Sequence, residues 1–395
     1  MPDESGTSLR PASEAERLHA LDAIRGAAIL GVLLAYTVWN LGGPPVETWS
    51  GLDHAVARGM DLFVDGKCYT LFACLLGLGV SQQWRRWEIA GRDPAPLHLR
   101  RMGFLLGVGI LHAVLLRNGD ILAPYAILGF ALLLFRPRSN RAIAIACPAL
   151  LLATYVIEPS VRSMGFPWPE RPSAGGANYL VENFAWVRYW YATNPFRDWT
   201  QILGLMLAGV LIGRRRVVER LMASRKTPLV LGAALLSAIL ARVAFETLRA
   251  RATAASPSLW TAAGFRGLYD ACTWTLASAY GVAMIWITRR NPDALGPLRA
   301  QGRMAFSNYL MQPVVIVPLC LAFGLFDTFT PSRGLWLALA VGTLQVAFST
   351  YWLKRHSMGP LERVWRGFTY RRPSAPRGRP RKSEVRFGPN EPNRP

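Results

Sequence analysis

Apolar residues run along this 395-residue chain in long blocks, and charged residues collect in the shorter stretches between them. Blocks of about 20 residues can cross the hydrocarbon core of a bilayer as helices, which bond their own backbone polar groups. The pattern therefore predicts an all-α, polytopic transmembrane helix bundle of about ten spans. The predicted spans are residues 21–41, 61–82, 102–117, 120–135, 142–158, 198–213, 228–248, 266–288, 304–325 and 334–353.

Three stretches of this pattern are less regular. The fourth and sixth spans, residues 120–135 and 198–213, are the weakest of the ten, and losing either one would invert part of the topology. Residues 159–197 are rich in Pro, Gly, Trp and Tyr and are predicted to form a long loop. The aromatic content of that loop favours an ordered lid or an interfacial segment.

The two ends of the chain differ from the apolar middle. Residues 1–18 are polar and are predicted to be disordered, residues 19–370 form the membrane domain, and residues 371–395 form a disordered tail with eight basic and two acidic residues. The first residues lack the short apolar run and small-residue cleavage site of a secretory signal peptide, so we expect the first span to remain as an anchor.

The formal net charge of +21 first suggests a nucleic-acid partner. However, the basic residues lie in short loops and in the tail, without a basic face interleaved with aromatic residues, which argues against nucleic acid. Most of the 45 lysines and arginines fall on one side of the membrane when both termini are placed in the cytoplasm, as the positive-inside rule requires. We therefore expect the lipid bilayer as the partner, with anionic lipids at the cytoplasmic loops and tail.

The cysteines and the glycines indicate no bound metal or nucleotide. The five cysteines lie in or beside apolar segments and form no CxxC pair, so they are predicted to be small buried residues with neither a disulfide framework nor a metal site. No glycine-rich phosphate-binding loop is present in the sequence. We expect no tightly bound cofactor.

His112 and Asp120 stand out because ionisable residues inside a membrane are costly and often functional. His112 is a candidate general base, or a neutral side chain hydrogen-bonded between helices. Asp120 is a candidate partner that orients His112 or binds a cation or proton, or a cap at the start of the fourth span. On one helix the two would lie about 12 Å apart, so the chain must fold back at Asn118 and Gly119 for them to meet.

Several motifs together resemble the YeiB-like family, a group of bacterial multi-pass inner-membrane proteins defined as a domain of unknown function. The resemblance covers residues from about 17 to 370 and implies a location in the bacterial inner membrane. The motifs are LDAIRGAAILGVLL near the start, KCYTLFACLLGLG in the second span, GILHAVLLRNGDILAPYAILG in the third and fourth, GRMAFSNYLMQ at the ninth and GPLERVWRGFTY after the tenth.

The opening LDxxRG pattern also resembles the wider superfamily of membrane acyltransferases, which includes sugar O-acyltransferases and the lysosomal heparan glucosaminide N-acetyltransferase. That resemblance implies a similar helical bundle, acyl-CoA as donor substrate and a small-molecule or glycan acceptor across the membrane. The acyltransferases have His or Asn eleven residues after the arginine of this pattern, whereas this chain has Tyr36. His112 and His54 are the histidines available on the outer side.

The same resemblance suggests roles for arginines at the inner side. Arg25, three residues after Asp22, is either half of a helix-end ion pair or a contact to the phosphates of an acyl-CoA. Arg101 and Arg303 present the same choice, with membrane topology as their alternative role. We predict all three arginines as the donor-binding set.

Asn308 and Gln312 share one face of the ninth span, because they are four residues apart. They line a substrate path, together with Tyr36 and His54, or they form hydrogen bonds between helices.

Two rival functions remain open from the sequence. A transporter would also place polar residues inside a ten-helix bundle with a proline-interrupted ninth span, although the two halves show no internal repeat. A non-catalytic membrane protein would use the polar residues only to join helices.

Overall fold

The computed structural model of the protein describes residues 19–116, 119–165, 178–252 and 258–370. Within these ranges the regular structure is helical and includes no strand. The predictions for residues 1–18, for Asn118 and for the tail at 371–395 lie outside the described residues.

The helices follow one another with short connections. Two short 3-10 helices, Val46–Thr48 and Leu132–Phe135, accompany them. The α-helices are α1 (His19–Trp39), α2 (Gly51–Phe63), α3 (Lys67–Ile89), α4 (Pro94–Leu115), α5 (Leu122–Ala131), α6 (Asn140–Ser163), α7 (Tyr179–Arg197), α8 (Trp199–Arg214), α9 (Val217–Ala223), α10 (Thr227–Ala252), α11 (Leu259–Arg290), α12 (Gly296–Arg303), α13 (Ala305–Ala322), α14 (Pro331–Arg355) and α15 (Pro360–Tyr370).

In the described part of the chain, eight helical segments are long and apolar enough to cross a membrane. They are α1, the continuous stretch of α2 and α3, α4, α6, α10, α11, α13 and α14. Two further apolar segments, Leu122–Phe135 and Trp199–Arg214, are shorter than a full span. They coincide with the fourth and sixth predicted spans. The polytopic helix bundle is therefore confirmed, and the total of ten spans stays a prediction for these two segments.

The short helix α8 packs mainly against α3 and α6. Gly209 of α8 packs so closely against α3 that a Cβ atom there would overlap the carbonyl oxygen of Cys74. Gly77 of α3 packs in the same way against the carbonyl of Met206 on α8. Membrane helices associate through such small residues, because they let two backbones approach. This close packing explains why a helix of only 16 residues is well buried.

Two residues of the opening and ninth-span motifs meet in space. A Cβ atom on Gly26 of α1 would overlap the carbonyl oxygen of Leu298 on α12, and one on Gly302 of α12 would overlap that of Asp22. The glycines in LDAIRG and GRMAFSN therefore allow one close contact between α1 and α12.

Acidic side chains tie helix starts to neighbouring elements. Asp53 of α2 forms a capping box with Ser50 and also accepts hydrogen bonds from the backbone N–H (3.0 Å) and the hydroxyl (2.6 Å) of Ser332 at the start of α14. Glu362 of α15 accepts from the backbone N–H groups of Phe306 (2.9 Å) and Ser307 (3.0 Å) at the start of α13. Carboxylates suit these places because the first N–H groups of a helix have no partner within the helix.

The prediction of a loop over residues 159–197 is wrong for most of the described part of that range. Helix α6 continues to Ser163, and α7 occupies Tyr179–Arg197. The Pro and Gly residues that suggested a loop are concentrated between the two helices, in MGFPWPERPSAGG. The aromatic segment that follows begins with Asn178, whose side chain accepts from the N–H groups of Leu180 and Val181 and so caps α7.

Candidate functional site

The turn between α4 and α5 brings together the two residues that the sequence singled out. Helix α4 ends at Leu115 and α5 begins at Leu122, and the two helices pack as a hairpin. Gly109 of α4 makes the close approach, because a Cβ atom there would overlap the backbone nitrogen of Ala123. The last turn of α4 carries His112, and Asp120 lies two residues before the start of α5.

His112 and Asp120 form a buried pair. The Nδ1 atom of His112 lies 2.9 Å from Oδ1 of Asp120, and both side chains are almost fully shielded. The other carboxylate oxygen, Oδ2, accepts from the backbone N–H of Ala123 at 2.9 Å. Asp120 therefore both contacts the imidazole and caps the start of α5, so the two roles that the sequence left open coexist.

The hydrogen bond selects a tautomer of the neutral imidazole. A carboxylate only accepts hydrogen bonds, so Nδ1 of His112 carries the proton and Nε2 is left with its lone pair. Nε2 is buried, and no residue in the described ranges forms a hydrogen bond with it. The arrangement presents an oriented base inside the bundle.

Tyr309 of α13 completes the surroundings of this pair. Its hydroxyl donates to Oδ1 of Asp120 at 3.0 Å and accepts from the backbone N–H of Ile121 at 3.2 Å. The centroid of its ring lies 5.1 Å from that of His112. Sequence reasoning missed Tyr309, and its place inside the motif GRMAFSNYLMQ was the only signal that pointed to it.

A cavity of about 300 Å³ adjoins the pair. It lies among α3, α5, α7, α8 and α11, and Asp120 contributes to its wall. His112 does not line this cavity. Of the two paired residues, only Asp120 contacts it. The volume falls at the lower end of the range typical of small-molecule sites.

Helix α7 covers the α4–α5 turn. Tyr179 donates to the carbonyl of Leu116 at 2.7 Å, and Asn183 donates to the carbonyls of Ala113 and Val114, each at 2.7 Å. These bonds satisfy carbonyls at the end of α4 that have no partner within the helix. The segment that the sequence predicted as an ordered lid or an interfacial segment is thus helical in its described part.

The same helix supplies part of the cavity wall. Trp190 and Asn194 line the cavity, and Tyr191 lines a small space that also contacts Asp120. Burial, with a contribution from the charge of Asp120, raises the pKa of Tyr191 above its ordinary value. The phenol of Tyr191, which is neutral near pH 7 at its ordinary pKa, is therefore held further from ionisation.

A network of charged residues lies on another wall of the cavity. Arg266 of α11 donates to Glu158 of α6 at 2.7 Å and to Asp198, between α7 and α8, at 2.5 Å. Asp270, four residues further along α11, accepts from Tyr155 at 2.7 Å and from Gln201 at 2.9 Å. Sequence reasoning missed this network, although Arg266 and Asp270 share a helix face at the start of the eighth predicted span.

The three arginines predicted to bind a donor each have a protein partner. Arg25 pairs with Asp22 at 2.8 Å, as the spacing predicted. The guanidinium of Arg101 lies 3.8 Å from the ring centroid of Trp365, and Arg303 donates to the carbonyl of Ser357 at 3.0 Å. None of the three lines the cavity beside Asp120.

Asn308 and Gln312 lie in a packed polar network away from that cavity. The side-chain amide of Asn308 donates to Gln301 Oε1 and to Ser349 Oγ, both at 2.9 Å. Gln312 donates to the carbonyl of Ile29 at 3.3 Å. These bonds join α13 to α12, α14 and α1, which is the interhelical arrangement that the sequence left open beside a substrate path.

The remaining two predicted path residues lie apart from each other. Tyr36 is buried in an apolar cluster with Leu33 and Ile316. His54 is exposed on α2, and its ring centroid lies 5.6 Å from that of Trp49. Neither residue lines the cavity beside Asp120.

Comparison with known proteins supports the family resemblance. Residues 212–372 match the model of a family described as "Protein of unknown function (DUF418)". This region contains Arg266, Asp270 and Tyr309, whereas His112 and Asp120 precede it.

Relatives match over most of their length. The chain is 28% identical to the uncharacterized protein YxaH of Bacillus subtilis (strain 168), with 92% of this chain and 97% of the relative covered. It is 28% identical to an uncharacterized 39.9 kDa protein of Bacillus acidopullulyticus, with 90% and 95% covered. It is 26% identical to the uncharacterized protein YeiB of Escherichia coli (strain K12), with 90% and 97% covered. These matches confirm that the chain is an integral membrane protein similar to the YeiB-like proteins of unknown function.

Proposed function

We propose that this protein is a transmembrane acyltransferase of the bacterial inner membrane, which moves an acyl group from a cytoplasmic donor to an extracytoplasmic acceptor. The observation that carries the proposal is the buried pair of His112 and Asp120, in which Nε2 has no hydrogen-bond partner among the described residues. An imidazole held in this way is suited to general base catalysis.

In the proposed reaction, the acceptor is a small molecule or a glycan with a hydroxyl or amino group. Nε2 of His112 removes the proton from that group as its oxygen or nitrogen attacks the carbonyl carbon of the acyl thioester. The C–S bond of the thioester then breaks, and the departing sulfur of CoA takes the proton back from the imidazolium. The carboxylate of Asp120 holds the ring and stabilises the imidazolium that forms. Tyr309 and the N–H of Ala123 hold the carboxylate in turn, so Tyr309 is a positioning residue.

We propose acyl-CoA as the donor, with its phosphates held by Arg25, Arg101 and Arg303 at the cytoplasmic face. Guanidinium groups bind phosphate oxygens through paired N–H donors. Arg303 is the last residue of α12, whereas Arg25 and Arg101 lie about two turns into α1 and α4. The basic loops around them face the anionic lipids of the same leaflet in this proposal.

Donor binding tests the proposal. We expect acyl-CoA to stabilise the purified protein in detergent by about 2.7 kcal/mol at a hundred times its dissociation constant. The substitutions Arg25→Gln and Arg303→Gln should each reduce this thermal shift, whereas Arg333→Gln, on the opposite face in the predicted topology, should not. If acyl-CoA with short and long chains gives no shift, the acyltransferase proposal is overturned.

A transporter is the second candidate, and one observation favours it. The cavity is lined by Asp120 and by the charged pair Arg266 and Asp270, but not by His112. An acidic residue beside a cavity between helices is typical of a transport pathway. Solute uptake into proteoliposomes without any acyl donor, abolished by Asp120→Asn, would favour this function over acyl transfer.

A further inference from the structure

The cavity beside Asp120 has walls of unusual composition. Aromatic rings form much of the lining and come from five residues: Tyr69, Tyr125, Trp190, Trp199 and Trp274. The charged residues of the lining are three carboxylates and one guanidinium: Asp120, Asp198, Asp270 and Arg266. Rings and carboxylates are the groups that recognise organic cations, through the negative face of the ring and through charge.

The single guanidinium of the lining does not offer a site for an anion. Arg266 already donates to Glu158 at 2.7 Å and to Asp198 at 2.5 Å, and its Nε lies 3.7 Å from Asp270. Its positive charge is therefore compensated by protein carboxylates. The excess of carboxylates in the lining favours a positive ligand, and walls of low dielectric strengthen that preference.

Four residues of the lining each carry a buried polar atom that lacks a hydrogen-bond partner in the described part of the chain. The clearest is Oγ1 of Thr273, a residue that is 2% exposed. The others are Oη of Tyr69, Oδ1 of Asn194 and Nε1 of Trp199. Buried polar atoms without a partner are rare in folded proteins, so four of them on residues around one cavity point to a bound molecule.

The chemistry of these four atoms defines the ligand further. Oδ1 of Asn194 only accepts hydrogen bonds, whereas Nε1 of Trp199 only donates. The hydroxyls of Thr273 and Tyr69 do both. A ligand that satisfies them carries both donors and an acceptor, as a small amine or ammonium compound with a hydroxyl group does.

We infer that the cavity lined by Asp198, Asp270, Thr273 and Trp190 binds a small organic cation that carries a hydroxyl group. This inference goes beyond the proposed function, because the cavity is lined by Asp120 and not by His112. Binding of the cation does not rest on that function, because it requires neither an acyl donor nor His112.

The test compares cations with uncharged molecules of the same shape. Choline is paired with 3,3-dimethylbutan-1-ol, and ethanolamine with ethylene glycol. Binding of each to the full-length protein in detergent is measured by isothermal titration calorimetry without acyl donor. We expect at least one cation to bind, and its uncharged partner to bind about tenfold more weakly or not at all.

Variants locate the site. Asp270→Asn keeps the shape of the side chain and should weaken cation binding about tenfold, and Trp190→Leu should do the same through loss of the ring. Trp190 lies on the covering helix α7 and outside the charged network, so this variant serves if Asp270→Asn does not fold. Asp293→Asn is the control, because that carboxylate is 92% exposed and does not line the cavity.

The inference is overturned if neither cation binds, if the uncharged molecules bind equally well, or if Asp293→Asn weakens binding as much as the cavity variants do. Cation binding without acyl transfer would uphold this inference and count against the proposed function. Acyl transfer without cation binding would support the proposed function and overturn this inference.

Discussion

The carboxylate of Asp120 accepts hydrogen bonds from the imidazole of His112, the hydroxyl of Tyr309 and the backbone N–H of Ala123. Three donors converge on two oxygen atoms, so the position of the carboxylate is strongly restricted. The hydrogen bond from Nδ1 to this carboxylate restricts the orientation of the imidazole as well. The carboxylate of Asp120 therefore fixes the orientation of His112, the proposed base.

The substitution Tyr309→Phe tests the positioning role. It removes one donor to Asp120 and leaves the N–H of Ile121 without its partner, while the ring beside His112 remains. We expect the free energy of unfolding in detergent to fall by about 1–3 kcal/mol. We also expect acyl transfer by the folded variant to fall about tenfold, because the carboxylate is then less restricted.

The two measurements separate positioning from simple stabilisation. If Tyr309→Phe lowers stability but the folded fraction transfers acyl groups at the full rate, Tyr309 only joins helices. Tyr351→Phe is the matched control, because this tyrosine is exposed on α14, and it should change neither quantity.

Sequence reasoning could find His112 and Asp120 but not their neighbours. An ionisable residue in an apolar block can be recognised from the sequence alone, and the Asn118-Gly119 break indicated that the chain turns back. Tyr309 is 189 residues away from Asp120, and Arg266 is 68 residues from Asp198. Which helices face each other is decided by packing, and the spacing along a single helix carries no information about it.

At the scale of whole helices, α7 is the element that covers the site. It is anchored to the end of α4 through Tyr179 and Asn183 and contributes Trp190 and Asn194 to the cavity. The sequence indicated an ordered lid or an interfacial segment here, but it did not indicate a helix. Proline and glycine in residues 164–176 obscured the helix start at Asn178, which only the side-chain cap reveals.

Asn183→Ala should loosen this covering helix. The substitution leaves the carbonyls of Ala113 and Val114 without their side-chain donor. We expect faster hydrogen–deuterium exchange across α7, with local protection reduced by about 1–3 kcal/mol. Val181→Ala, an exposed change on the same helix, should leave the exchange unchanged. Equal exchange in both variants would show that these bonds do not hold α7 in place.

The contact between α3 and α8 should be sensitive to a single methyl group. In Gly209→Ala the added Cβ would overlap the carbonyl oxygen of Cys74, so the two backbones must separate. We expect a loss of stability of about 1–3 kcal/mol, measured by thermal unfolding in detergent. Gly232→Ala is the matched control on α10, where an added Cβ meets open space, and it should be neutral or slightly stabilising. Equal stability of the two variants would contradict the close packing of α8.

The shape of the whole molecule follows from the apolar pattern, and its orientation follows from charge. Every predicted span coincides with an apolar helical segment in the described ranges. Which side faces the cytoplasm stays a prediction from the distribution of Lys and Arg. In the predicted orientation His112 and Asp120 lie on the outer side, and Arg25, Arg101 and Arg303 lie on the inner side.

Labelling of introduced cysteines tests the orientation. Thr48→Cys lies in the exposed stretch between α1 and α2, and Arg92→Cys lies between α3 and α4. We expect a membrane-impermeant maleimide to label the first variant from the periplasmic side, and the second only after the inner membrane is opened. The protein without introduced cysteines gives the background from its own five. The opposite pattern would invert the bundle and place the His112 pair on the cytoplasmic side.

The most direct measurement follows labelled acyl groups from acyl-CoA across the membrane of inverted vesicles that contain the protein. The vesicles expose the cytoplasmic face to the donor and retain the native acceptors inside. We expect transfer into lumenal or membrane-bound product with the unmodified protein, and a fall of about a hundredfold or more in His112→Gln at equal folded amount. His54→Gln, an exposed histidine, should transfer normally. Full transfer by His112→Gln would contradict the catalytic role of the pair, and no transfer by the unmodified protein would contradict acyl transfer itself.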